Sequence, residues 1–173
     1  RAPDHQPLGD PRQQRHAPSV RSARQGARGW PGRFGPALSR YLPGVHIVVM
    51  GCGRVGSSLA RNLERIGHSV AIIDQNPAAF RRLGPEFAGD QVTGVGFSRD
   101  TLHRAGIDRA GAFAAVSSGD NSNIISARVA RETFGVAHVV ARIYDPKRAE
   151  VYERLGIPTV ATVPWTVNRF LSV

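Results

Sequence analysis

Val45-His-Ile-Val-Val-Met-Gly-Cys-Gly-Arg-Val-Gly56 carries an apolar run directly into three glycines spaced G-x-G-x-x-G. The run is rich in β-branched residues, as a buried strand is, and an amphipathic segment follows the last glycine. Each glycine at such a strand-to-helix junction has a separate reason. Gly51 permits the tight turn out of the strand, Gly53 lets a pyrophosphate reach the backbone without meeting a Cβ, and Gly56 lets the helix pack close to the sheet. The first helical turn then presents free N–H groups and the positive end of its dipole to the anion.

The next apolar run, Val70–Ile73, ends in Asp74, eighteen residues past Gly56. A carboxylate there accepts hydrogen bonds from both ribose hydroxyls and repels a 2′-phosphate. Gln75 and Asn76 add no compensating cation, so NADP is disfavoured, and Arg81 and Arg82 are expected on a solvated face of the following segment. Arg54 is not needed for the turn, and charge-assisted bonds to phosphate oxygens give it a role. Cys52 is expected to fill the turn as a small side chain, the alternative being a thiol of lowered pKa at a helix start.

Six apolar runs alternate with amphipathic segments: Val45–Met50, Val70–Ile73, Gln91–Val95, Phe113–Val116, His138–Ile143 and Thr159–Val163. This alternation predicts βαβ units. Val48–Met50 and Val70–Ile73 lack polar alternation, as strands covered on both faces do. Val55, Leu59, Leu63 and Ile66 form one apolar stripe on a helix that Gly67 ends, and Ile124, Ile125, Val129 and Phe134 mark another that Gly135 closes. Ala78–Leu83, Thr101–Ala105 and Pro146–Leu155 complete five helices. The expected fold is α/β, a Rossmann-type doubly wound parallel sheet of about six strands with helices on both faces, spanning residues 45–173.

Residues 1–44 have a different texture. They hold eight arginines against two aspartates and seven of the chain's 12 prolines, with almost no aliphatic residue before Leu38. No core can offset the entropy of ordering them, so a disordered basic arm is expected. It accounts for +6 of the net +10, and its arginines lack the aromatic interleaving of a specific nucleic-acid surface. With 41% hydrophobic and 21% charged residues, the whole chain has a soluble globular composition. No apolar stretch approaches the roughly 20 residues of a membrane span. One cysteine excludes an internal disulfide or a zinc set, and the cytosol is the expected compartment.

Four runs in order, His46–Ala60, Gly67–Asp74, Ala115–Ile124 and Val140–Ile143, closely resemble the N-terminal RCK (TrkA-N) domain of Trk/Ktr potassium-uptake regulatory proteins. The resemblance covers about 45–171. It implies a cytoplasmic, non-enzymatic subunit that binds NAD(H) or ATP/ADP. Such subunits assemble as dimers into a ring at the inner face of the membrane, beneath a potassium-translocating partner. It also implies a second, smaller C-terminal domain in the family. Carried onto this sequence, Gly51, Cys52, Gly53, Arg54, Val55 and Gly56 form the phosphate loop and Asp74 holds the ribose. Gln75, Gly94, Ser117 and Arg142 complete the cofactor-binding set. Two positions depart from the family pattern. The third strand ends Gly94-Val95-Gly96 where many relatives have Gly-Asp-Ala, and Pro164-Trp165 stands where some ATP-binding relatives place a cation-holding acid.

Asp120, Asn121 and Asn123 are expected at the carboxyl edge of the sheet, lining the crevice, with an N-cap role as the other possibility for Asp120. A rival reading is an NAD-dependent oxidoreductase fragment. Tyr144 and Lys147 come nearest to a proton-transfer pair, but they lie three positions apart rather than the four of Tyr-x-x-x-Lys, and His103 reads as a solvated or packing histidine.

Overall fold

The computed structural model of the protein describes residues 44–161 and residue 171. The basic arm, Gly44 apart, and the Pro164-Trp165 pair lie outside the described residues. Six strands form one sheet: β1 (His46–Met50), β2 (Ser69–Asp74), β3 (Asp90–Thr93), β4 (Ala110–Ala115), β5 (His138–Ile143) and β6 (Thr159–Ala161). Their order is β3-β2-β1-β4-β5-β6, and every neighbouring pair is parallel. Four α-helices connect them: α1 (Arg54–Arg65), α2 (Arg99–Arg104), α3 (Asp120–Arg128) and α4 (Pro146–Arg154), with α3 running on into a π turn over Val129–Thr133. The doubly wound architecture expected from the sequence is the one found.

The apolar strands need cover on both faces, and period-2 alternation divides β1 between two cores. Ile47 and Val49 point into a cluster with Ala60 of α1 and Phe80, Leu83 and Phe87. Val48 and Met50 point the other way, into a cluster with Leu102, Ile124, Ala127 and Ala149. Met50 pairs with Ile73 on one side and Ala115 on the other, so β1 and β4 are adjacent at the centre. The chain leaves β1 towards one edge and β4 towards the other, and this divergence opens a crevice at their carboxyl ends.

Two expectations are corrected. The segment expected as a helix over Ala78–Leu83 is a 3-10 helix over Pro77–Leu83, opened by Asn76, whose side chain accepts from the Ala78 N–H. The apolar stripe of α1 is only in part its buried face, since Leu59 and Leu63 pack against the core but the ends of the stripe do not. Gly56, Ser57 and Ala60 are buried there, whereas Val55 and Ile66 are 42% and 43% exposed. The glycine-led approach to the sheet brings the helix axis close, so small residues make the most buried contact, with Leu59 and Leu63 packed beside them and Val55 and Ile66 left towards solvent.

Candidate functional site

Gly51 has φ 103° and donates its N–H to the Ile73 carbonyl at 2.8 Å, closing the turn after β1. A Cβ there would lie 2.7 Å from the Ser117 backbone, and one on Gly56 would overlap the Gly51 carbonyl oxygen. Internal packing therefore requires both glycines. Gly53 differs: its φ of −77° is open to any residue, and a Cβ would meet nothing within 4 Å. The protein itself gives no reason for glycine at 53, and the vacant space lies in a crevice of about 670 Å³.

Gly53 is also the N-cap of α1 and offers no side-chain cap, as does Gly119, the N-cap of α3. Both line the crevice. In contrast, Asp145 caps α4 by accepting from the Lys147 N–H at 2.9 Å. The first-turn N–H groups of α1 are thus left for a group that enters the crevice.

Asp74 is held firmly. Its Oδ2 accepts from the Cys52 N–H at 2.7 Å and its Oδ1 from the Asn76 N–H at 2.9 Å, which fixes the carboxylate against the glycine loop. Cys52 is fully buried, and its Sγ lies 3.4 Å from the Ala79 carbonyl oxygen. Burial, reinforced by the Asp74 carboxylate and opposed by Arg82, pushes its pKa up to about 11. The thiol fills space, and the alternative of a lowered pKa is overturned.

On the other side of the crevice, the loop after β4 is tied down by Asn123, which is fully buried. Its Oδ1 accepts from the Ser117 N–H (2.9 Å) and hydroxyl (2.7 Å), while its Nδ2 donates to the carbonyls of Ser117 (3.0 Å) and Arg142 (2.8 Å). Arg142 Nη2 donates to the Ser117 carbonyl at 2.7 Å, and the guanidinium lies 4.4 Å from the centre of the Tyr144 ring.

Of the residues expected from the sequence, Gly51, Cys52, Gly53, Arg54, Val55, Asp74, Gln75, Gly94, Ser117 and Arg142 line this one crevice. Gly56 lies beneath it. Asp120, Asn121 and Asn123 do not line it. Asp120 is the first residue of α3 rather than its cap, and its carboxylate accepts from the Tyr144 and Asp145 N–H groups at 2.9 and 3.1 Å. Asn121 accepts from Arg148, and Asn123 serves as the tie described above. Their direction is set by the loop after β5, which crosses the start of α3. His103 pairs with Asp108 at 2.7 Å and packs edge-on against Phe134, the packing role expected of it.

Sequence reasoning missed Arg82, Phe97, Ser118, Gly119, Ser122 and Tyr144 as lining residues. Phe97 and Tyr144 are 39% and 42% exposed, and no spacing rule marks them. Arg82, placed on a solvated face by the sequence, is exposed as expected and also lines the crevice. Among the described residues, no group of three or more His, Cys, Asp or Glu side chains could hold a metal ion, and no helix is long and apolar enough to cross a membrane.

A family model described as the TrkA-N domain matches residues 47–163. The Trk system potassium uptake protein TrkA of Streptomyces coelicolor is 71% identical over 127 residues, which make up 73% of this chain and 57% of that protein. The chain spans about half the length of the curated relatives it matches. Among solved structures, the Kef CTD of Shewanella denitrificans in AMP-bound form aligns with TM-score 0.62 and 23% identity, over 71% of this chain and 76% of that one. The GsuK channel bound to NAD aligns with TM-score 0.60 and 19% identity, over 79% of this chain and 26% of that one.

Proposed function

The chain belongs to the TrkA-N domain family, and from that premise we propose that it is the nucleotide-sensing part of a regulatory subunit for a membrane potassium-uptake system. The name of the Streptomyces coelicolor relative supports the transport role, and the AMP and NAD of the Kef and GsuK titles support the ligand class. The observation that carries the reading is Gly53: a glycine that no internal contact demands, facing open space between the first turn of α1 and Asp74.

The ligand in this reading is an adenine nucleotide or dinucleotide, with ATP/ADP and NAD(H) as the candidates. The loop Gly51–Gly56 and the first turn of α1 hold its phosphates through backbone N–H groups, including those beside Cys52 and Val55. Arg54 adds a charge-assisted contact. Asp74 retains acceptor capacity on both oxygens and takes the ribose hydroxyls. Gln75 and Gly94 border the base, and Ser117 and Arg142 border the far end. The Gly94-Val95-Gly96 loop presents no acidic side chain to the base.

The role is regulatory rather than catalytic. Tyr144 packs against Arg142, and Lys147 is not among the lining residues, so the nearest approach to a proton-transfer pair is divided between the crevice and helix α4. A ligand shifts a conformational equilibrium only by its difference in affinity for the two states, and each tenfold difference is about 1.4 kcal/mol. A γ-phosphate, or the charge of an oxidised nicotinamide, supplies such a difference at Arg54 and the α1 dipole. Copies of the subunit, paired into a ring on the inner face of the membrane, pass the change to the potassium-translocating partner.

Calorimetric titration of the chain with NAD, NADH, ATP and ADP tests the reading, with Gly53→Val as control. At least one ligand gives saturable heat, and the valine weakens it by about tenfold or more because its side chain occupies the phosphate position. The ligand-free melting temperature of the variant stays close to that of the parent. Absence of heat with all four compounds refutes the reading.

A further inference from the structure

The wall of the crevice beside Asp74 is a 3-10 helix, Pro77–Leu83, capped by Asn76. Three residues complete each turn of such a helix, so side chains at i, i+3 and i+6 eclipse, whereas an α-helix would rotate each by about 60° from the last. Asn76, Ala79 and Arg82 consequently stand in one column, and all three line the crevice. Ala79 is small and buried, so the long side chain one turn later meets no bulk between itself and the ribose acid.

Among the described residues, the Arg82 guanidinium takes part in no ion pair and no side-chain hydrogen bond, while its main-chain carbonyl accepts from Arg61. That charge reaches the turn beneath Asp74, where it pulls against the upward shift of the Cys52 thiol. Asp74, for its part, is pinned by two backbone N–H groups and cannot swing away from the ribose position or toward the arginine. The crevice is thus lined both by a carboxylate fixed by backbone N–H groups and by a guanidinium that forms no ion pair among the described residues.

We propose that Arg82 is a specificity-determining residue that makes the ribose end tolerant of a 2′-phosphate, so that the site accepts 2′-phosphorylated dinucleotides, NADP(H), alongside those with a free 2′-hydroxyl. The inference rests on the nucleotide reading above. A 2′-phosphate was disfavoured because Asp74 repels it with no cation nearby, and Arg82 is that cation. Its planar fork matches phosphate oxygens in a way a solvated lysine would not. Attraction to Arg82 and repulsion from Asp74 offset one another, and the site discriminates weakly at the 2′ position.

The test is calorimetric titration of the full chain and of Arg82→Ala, Arg82→Lys and Asp74→Asn with NADH and NADPH, each variant first shown by its melting curve to be folded. The parent is expected to bind the two within about tenfold of each other. Arg82→Ala is expected to shift the NADPH-to-NADH preference against NADPH by about tenfold to a hundredfold, the range for a lost bond to a charged group. Arg82→Lys recovers part of that shift, and Asp74→Asn moves the preference towards NADPH. Binding of NADH without NADPH by the parent overturns this inference and leaves the nucleotide reading intact. Equal weakening of both ligands by Arg82→Ala also overturns it, placing Arg82 on the base or the pyrophosphate instead. Failure of both ligands to bind the parent, with ADP and ATP silent as well, removes the nucleotide reading and this inference together.

Discussion

Three glycines in six residues look alike in the sequence and are required for different reasons. Gly51 and Gly56 are fixed by the protein's own atoms, whereas a Cβ at Gly53 would meet nothing within 4 Å. Gly56→Ala forces α1 off the Gly51 carbonyl and is expected to cost about 3 kcal/mol, seen as a lower denaturant midpoint at unchanged slope. Gly53→Val is expected to cost binding rather than stability. Cys52 gives a pH-dependent counterpart. Its pKa is raised from 9.0 to about 11, so the fold favours the protonated thiol. That contribution is fully present below pH 9 and is lost as pH rises from 9 towards 11. Denaturant melts at pH 8 and pH 10.5 are expected to show a fall in stability that Cys52→Ala reduces, and a thiol reagent at pH 8 is expected to label the native protein far more slowly than the unfolded chain.

At the level of elements, the crevice is kept open by side chains that never enter it. Asn123 joins the loop after β4 to the end of β5 through four hydrogen bonds, and Asp120 holds the two N–H groups where β5 gives way to α4. Asn123→Ala leaves buried backbone groups unpaired and is expected to destabilise the protein by about 3 kcal/mol. Asp120→Ala, at a half-buried position, is expected to cost about 1 kcal/mol and to speed hydrogen exchange at the Tyr144 and Asp145 amides. Neither role was legible in the sequence, which places both residues near the crevice but gives no sign of the loop after β5 lying over the start of α3. The 3-10 helix was likewise hidden. Ala78–Leu83 has the composition of an ordinary helix, and only its short span between Asn76 and Gly84, which has φ 78°, tightens it.

For the whole molecule, the central fact is that β1 lies between β2 and β4, so that residues far apart in the chain meet at one sheet edge. A ligand that binds only the folded form stabilises it by mass action. At one hundred times its dissociation constant it is expected to add about 2.7 kcal/mol, read as an upward shift in melting temperature that Gly53→Val cuts by about half or more. The amino-acid sequence by itself determined the alternation of strand and helix, the glycine turn after β1 and the acid at the end of β2. Each of these is a local requirement of backbone sterics or residue period, legible within a few neighbours. The tertiary structure alone decided that Arg82, Phe97 and Tyr144 border the same crevice as Asp74, and that Asp120 and Asn123 act as ties. Those outcomes depend on the rotation of one helix and on where loops from different strands cross, and they follow from packing across the sheet rather than from any local pattern.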